Sequence, residues 1–307
     1  MRVVLDLDKL LAQGRITPAQ YEEIKALAEA KAGNLAINIL LGFGVWAIAL
    51  GALALLNSAI ASIQIGLILT SLGIYLKIRY PRPWGAFAQM LLLVGTLMSA
   101  GGIIVFTKGS VGGFLLITAL LLVGTVLAKS GLLSALSALS LSATIGAMTA
   151  YDHASYYLII QQPSLTIALF AILGWLSYQL SKRVSENYKG LGIIFARTCL
   201  FLVNFGFWIG SLWGDSLGQP RDVWGFGKDA IISDETFVIA WALALLGGVI
   251  WGIRQHRMWV VNTLTVFGAI HFYTQYFERL GAHPLTLMLG GIIALIIVLG
   301  LFRYNRG

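Results

Sequence analysis

Polar and apolar side chains alternate at helical spacing through residues 1–34, and then the polar ones almost disappear. From Leu35 onward, apolar runs near twenty residues recur to the end of the chain. A run of that length spans roughly 30 Å of hydrocarbon when it is helical. The pattern predicts ten spans: 35–56, 63–78, 84–106, 112–128, 131–151, 164–181, 191–213, 237–253, 259–276 and 284–304. The fifth, "GLLSALSALSLSATIGAMTAY", is richer in small residues than in large apolar ones. The expected fold is all-α, a polytopic membrane bundle (35–307) behind a small soluble helical hairpin (1–34).

The hairpin is written in capping chemistry. Thr17 stands at an N-cap, Pro18 at the first helical position, and Gln20 completes a Thr-x-x-Gln capping box. Ile16 and Tyr21 occupy the positions of a hydrophobic staple. Upstream, Val4, Leu7 and Leu11 share one face of a short helix that Gly14 stops. About 34 residues cannot bury enough surface to be stable alone, so the apolar stripe needs a partner. The choices are this protein's own inner loops, a homo-oligomeric or protein partner contacted through residues 1–34, and the membrane surface. Five acidic and five basic side chains cancel in this segment, which disfavours anionic lipid.

Composition sharpens the membrane reading. The chain of 307 residues is 58% hydrophobic and 11% charged, with a mean hydropathy of +0.83. An average soluble domain carries roughly 25% charged residues. With the N-terminus inside, 17 of the 21 Lys and Arg residues fall in inner segments, leaving Lys108, Arg221, Lys228 and Arg279 outside. Such a bias orients helices, so both termini are expected in the cytoplasm. The net charge of +8 then reports topology, and no nucleic acid partner is needed to explain it. The first apolar run begins behind a charged leader, which argues against a cleavable signal peptide. The single cysteine, Cys199, lies in an apolar run and reads as packing.

The leader "LDKLLAQGRITPAQYEEI", the many-helix layout and the late segment "RMWVVNTLTVFGAIHFYTQYFERLG" resemble domain-of-unknown-function family 2157. That resemblance implies a multi-pass protein of the bacterial inner membrane. It implies no activity and no site residue.

Ionisable residues within a bilayer are costly and tend to serve function. None of the 13 acidic residues is expected in mid-membrane, which weighs against ion-coupled carriers that use a buried carboxylate. Arg197 sits about six residues into the seventh span and shares a face with Asn204. It is either a cavity residue or a snorkelling one. In the ninth span His271, Gln275 and Glu278 form a second polar stripe. These five are the candidate ligand-binding residues. Asp152, His153 and His283 add donors at a similar level, but no spacing marks a metal site and no cofactor motif is present.

Two helices carry small residues every fourth position: Ser134, Ala138, Ser142, Gly146 and Ala150, and then Gly206, Gly210 and Gly214. Such ladders let helix backbones approach. "GDSLG" (214–218) matches the G-x-S-x-G nucleophile pattern, but a catalytic Ser216 needs a strand–turn–helix elbow and a histidine base. It opens the longest outer loop, 214–236. Two functions compete: a non-enzymatic bundle with a polar cavity for a small solute or lipid, and a scaffold recruiting a partner through its leader. A membrane-embedded enzyme ranks third, for want of a catalytic constellation.

Overall fold

A computed structural model describes residues 10–11, 13–56, 58–80, 84–152, 155–160, 162–217, 230–280, 283–285, 288–292, 295–296 and 299. The chain divides into two compact units, 1–113 and 114–307.

The first unit opens as its capping chemistry requires. Gly14 adopts φ +64°; its N–H donates to the Leu11 carbonyl, and that of Arg15 donates to Leu10, the paired bonds of a Schellman stop. The capping box forms in both directions: the Thr17 N–H donates to Gln20 Oε1 (2.9 Å) and the Gln20 N–H to Thr17 Oγ1 (3.2 Å). Helix α1 (Pro18–Leu56) then runs 39 residues without a break, straight through the boundary expected at residue 34. Ser58 caps α2 (Ala59–Arg79), which packs on α3 (Gly85–Phe106).

That pair is held by small residues. A Cβ at Gly95 would lie 2.6 Å from the Thr70 amide nitrogen, and one at Gly102 would lie 2.7 Å from the Ala59 carbonyl oxygen. Glycine at these positions lets the two backbones touch. The Ser62 hydroxyl donates across the interface to the Met98 carbonyl (2.8 Å).

The second unit contains most of α4 (Val111–Ala128), then α5 (Gly131–Thr144), a ribbon of β1 (Ala147–Asp152) and β2 (Ser155–Ile160), α6 (Pro163–Ser181), α7 (Glu186–Trp213), α8 (Asp234–Arg254) and α9 (Met258–Leu280). The ribbon corrects the expected fifth span. Helix stops at Thr144, Gly146 takes φ +90°, and the strands pair antiparallel from Ala147↔Ile160 to Asp152↔Ser155. The remainder of the described chain with regular structure is helical, apart from an isolated bridge between Asp215 and Ile232.

Six of these helices are long and apolar enough to cross a membrane: α2, α3, α4, α6, α7 and α8. Their outer faces are apolar too, with Ile68, Val105, Ile239 and Leu243 all more than 60% exposed, as lipid rather than water would allow. The protein is a helical membrane protein. Shorter apolar helix occurs at Leu40–Ala49 within α1 and in α5. Helix α9 has the length but not the uniform hydropathy, and the expected span 284–304 lies partly outside the described residues.

Candidate functional site

The second unit is built around α7, whose small and polar residues set the distances to its neighbours. Ser134 of α5 donates to the Leu191 carbonyl (3.0 Å) and is buried with Ala138 and Ser142. The small-residue ladder of α5 therefore faces a neighbour as far as Ser142; Gly146 and Ala150 lie beyond the helix. On α7 a Cβ at Gly206 would stand 3.0 Å from Ile167 of α6, and one at Gly210 would stand 2.5 Å from the Phe237 ring of α8. Cys199 is fully buried among Ala138, Phe170 and Leu202, a packing residue in an apolar cluster.

Asn204 is the central polar residue. Only 3% exposed, it accepts a hydrogen bond on Oδ1 from the indole N–H of the fully buried Trp241 (3.0 Å). Its own amide donates to the Leu200 carbonyl (2.8 Å). Trp241 in turn meets His271 edge-on, with ring centroids 4.7 Å apart. Asn204, Trp241 and His271 thus link α7, α8 and α9 in one chain of contacts. Nearby, the Trp208 indole donates to Thr274 Oγ1 (3.1 Å) and ties α7 to α9 again.

The two polar stripes do not meet in one cavity. Arg197 is exposed and rests its guanidinium on the Trp259 ring, 5.2 Å from the centroid. Its long stem lets the charge reach the rim of the unit, where a cation–aromatic contact costs no buried counter-ion. Gln275 and Glu278 line a separate polar hollow of about 250 Å³ with Ser211 and Asp234, and Glu278 is exposed. His271 belongs to the core contact just described. Among the described residues, no three His, Cys, Asp or Glu side chains gather as a metal cage requires.

What the unit does contain is a half-open cavity of about 500 Å³ enclosed by α6, α7, α8 and α9. Asn204 is the one candidate residue on its wall. The inner wall is apolar, with Phe170, Leu200, Val203, Phe207 and Leu264. At the other end stand Tyr178, Gln179, Lys182, Trp251, Gln255 and Trp259. Tyr178 is the hub of that end. Its ring meets Trp251 edge-on (5.9 Å) and lies 6.5 Å from Trp259. Lys182 Nζ sits 4.3 Å from the same ring centroid, and the Arg257 guanidinium 5.6 Å from it. Sequence reading missed this set because its members come from three helices and the turn between two of them.

The turn that delivers Gln255 and Arg257 is tight. His256 adopts φ +52°; its N–H donates to Ile253 and that of Arg257 to Gly252. This is a Schellman stop with a non-glycine residue in the left-handed position.

"GDSLG" has a structural explanation. Gly214 takes φ +66°, and Asp215 pairs its backbone with Ile232 in both directions. The buried Asp215 carboxylate accepts from the Ser164 N–H (2.8 Å) in the first turn of α6 and from the Leu217 N–H (2.9 Å). A carboxylate at a helix N-terminus satisfies a free N–H and complements the helix dipole. Ser216 is buried and follows no strand, so the nucleophile elbow is not formed. Most of the loop that follows, residues 218–229, lies outside the described residues, as does His153.

No family model, no curated protein and no solved structure matches the chain. The chemistry of the cavity is then the guide to what the protein does.

Proposed function

We propose that this protein is a non-enzymatic multi-pass bundle whose second unit holds a membrane amphiphile in the α6–α9 cavity. One observation carries the reading: a cavity of about 500 Å³, half open, with an apolar wall and a polar, aromatic end. Pockets of roughly 300–1,000 Å³ with apolar walls and a few polar groups suit small ligands. Its wall brings no nucleophile–base pair and no carboxylate, which favours binding or transport over catalysis. The surrounding frame is that of a multi-pass helical protein of the bacterial inner membrane with both termini in the cytoplasm. The likeness of its leader and of residues 257–281 to domain-of-unknown-function family 2157 fits that frame.

The test is native mass spectrometry of the full-length protein released from membranes in mild detergent. Wild type is expected to carry a retained lipid-sized ligand. Ala244→Trp, which fills the cavity from an exposed alanine on its wall, is expected to lose it while keeping the fold. Equal retention by both proteins would reject the cavity as the binding site.

A second reading, a scaffold that recruits a partner through residues 1–34, draws on the capped leader and its continuity with α1. A partner gripping that end would act on the membrane segment through an unbroken helix. Deleting residues 1–30 is expected to leave the protein inserted and to weaken self-association or partner capture. Unchanged assembly would exclude the recruiting role.

A further inference from the structure

We infer that the amphiphile is anionic and lies with its headgroup at Lys182 and its chain toward Asn204, an inference that rests on the cavity reading above. The geometry has the right length. Between Lys182 and Phe170 the lining spans twelve residues of α6, about 18 Å at ~1.5 Å per residue. That is a little over half of a hydrocarbon core of roughly 30 Å, the depth of one leaflet. The cavity is half open, and Trp175, Ala244 and Trp251 on its lining are exposed, which gives a chain a way in from outside the bundle.

Polarity is graded along that length. The deep wall is hydrocarbon and aromatic, and its single amide, Asn204, is already bonded at both ends of its side chain. The mouth offers Lys182, Gln179 and Gln255 beside two indoles. Tryptophan at such a boundary is the usual company of a lipid headgroup.

Charge decides the class of headgroup. Lys182 donates to Gln179 Oε1 (3.0 Å) and shares the Tyr178 ring with Arg257. Among the described residues, no carboxylate lies within ion-pair distance of either cation. The Nε of Arg257 is buried and has no hydrogen-bond partner among those residues. Lys182 and Arg257 put two like charges on one ring, and like charges repel. A phosphate or carboxylate headgroup at Lys182 offsets that repulsion. A choline headgroup does not, because protein cations already occupy the aromatic face it would need.

The experiment uses the full-length protein in neutral detergent with matched dioleoyl lipids, read by native mass spectrometry. Wild type is expected to retain phosphatidylglycerol over phosphatidylcholine by about tenfold or more, the scale of a charged hydrogen bond. Lys182→Gln, at an exposed position, is expected to bring that ratio close to one while total lipid retention persists. Arg257→Gln is the second variant and should lower the ratio in the same direction. If wild type holds both lipids equally, or Lys182→Gln keeps the preference, the anionic assignment falls and the cavity reading survives. If Ala244→Trp alters retention of neither lipid, the cavity reading itself falls. Inorganic phosphate competing as well as the lipid would also overturn the inference, since the chain would then contribute nothing.

Discussion

Asn204 and Trp241 form a pair that neither can leave cheaply. Both are buried, and the indole N–H has one partner, Asn204 Oδ1. Removing the acceptor strands a donor away from water, at about 1–3 kcal/mol; hydrogen bonds between membrane helices sit toward the low end of that range. Asn204→Leu is therefore expected to destabilise the protein by about 1–2 kcal/mol in a thermal or denaturant unfolding assay in detergent. Adding Trp241→Phe should recover part of the loss, since it removes the stranded donor. A full additive loss in the double variant would mean the pair is not coupled. Arg197 makes the contrast. Its guanidinium faces Trp259 at the rim, so Arg197→Lys is expected to change neither stability nor ligand retention beyond ~0.5 kcal/mol, because lysine also reaches an aromatic face. Asn204 was legible in the sequence because an amide in an apolar span must be satisfied. Arg197 was less so. Helical periodicity gives the face a residue occupies, but not how far its neighbours extend at that level.

Helix α7 shows at element scale how single atoms set spacing. Gly210 leaves room for the Phe237 ring of α8, and any Cβ there collides with it. Gly210→Val is expected to cost about 1–3 kcal/mol by overpacking. Phe237→Ala in the same chain should relieve the strain, so the double variant is more stable than the sum of its parts predicts. A destabilisation that Phe237→Ala does not reduce would place the clash elsewhere. Gly206 and Gly210 of the α7 ladder were readable from spacing alone, whereas Gly214 turns the chain beyond the helix; the ends of α2, α3, α4 and α6 were readable within a few residues. The ribbon was not. The stretch 131–151 is long and apolar enough to pass as a span, and its only breaker is Gly146. Yet "SYYLII" (155–160) is a run of aromatic and β-branched residues with a strand signature of its own. The apolar length of its neighbour masked it. Likewise Lys129 and His256 end helices in the left-handed conformation usually reserved for glycine, so the sequence carried no glycine to mark those turns.

At the scale of the whole molecule, topology hinges on α5 and its ribbon. In the second unit basic residues collect at one end: Lys129 over Tyr188, Lys182 over Tyr178, and Arg257 beside them. At the other end Asp215 caps α6 and Asp234 opens α8. The chain leaves the basic end at Ser130 and must reach the acidic end by Pro163, where α6 begins. Helix α5 supplies 14 residues, about 21 Å of the roughly 30 Å required. The ribbon adds no net rise, because its antiparallel register brings Ile160 back beside Ala147; it joins α5 to α6 with β1 following α5 and β2 against α7. If that composite crosses, Tyr80 and Arg183 lie on the same side of the membrane; if it turns back, they lie on opposite sides. The positive-inside bias leads us to expect both in the cytoplasm. Cysteines introduced singly at Tyr80, Lys108, Arg183 and Glu235 test this directly, because native Cys199 is fully buried and silent. An impermeant maleimide added to intact cells is expected to label Lys108→Cys and Glu235→Cys, and to reach Tyr80→Cys and Arg183→Cys only after permeabilisation. Labelling of Tyr80→Cys and Arg183→Cys from opposite sides would show that α5 and the ribbon do not complete a crossing, and the chain would then have an odd number of spans between those two positions.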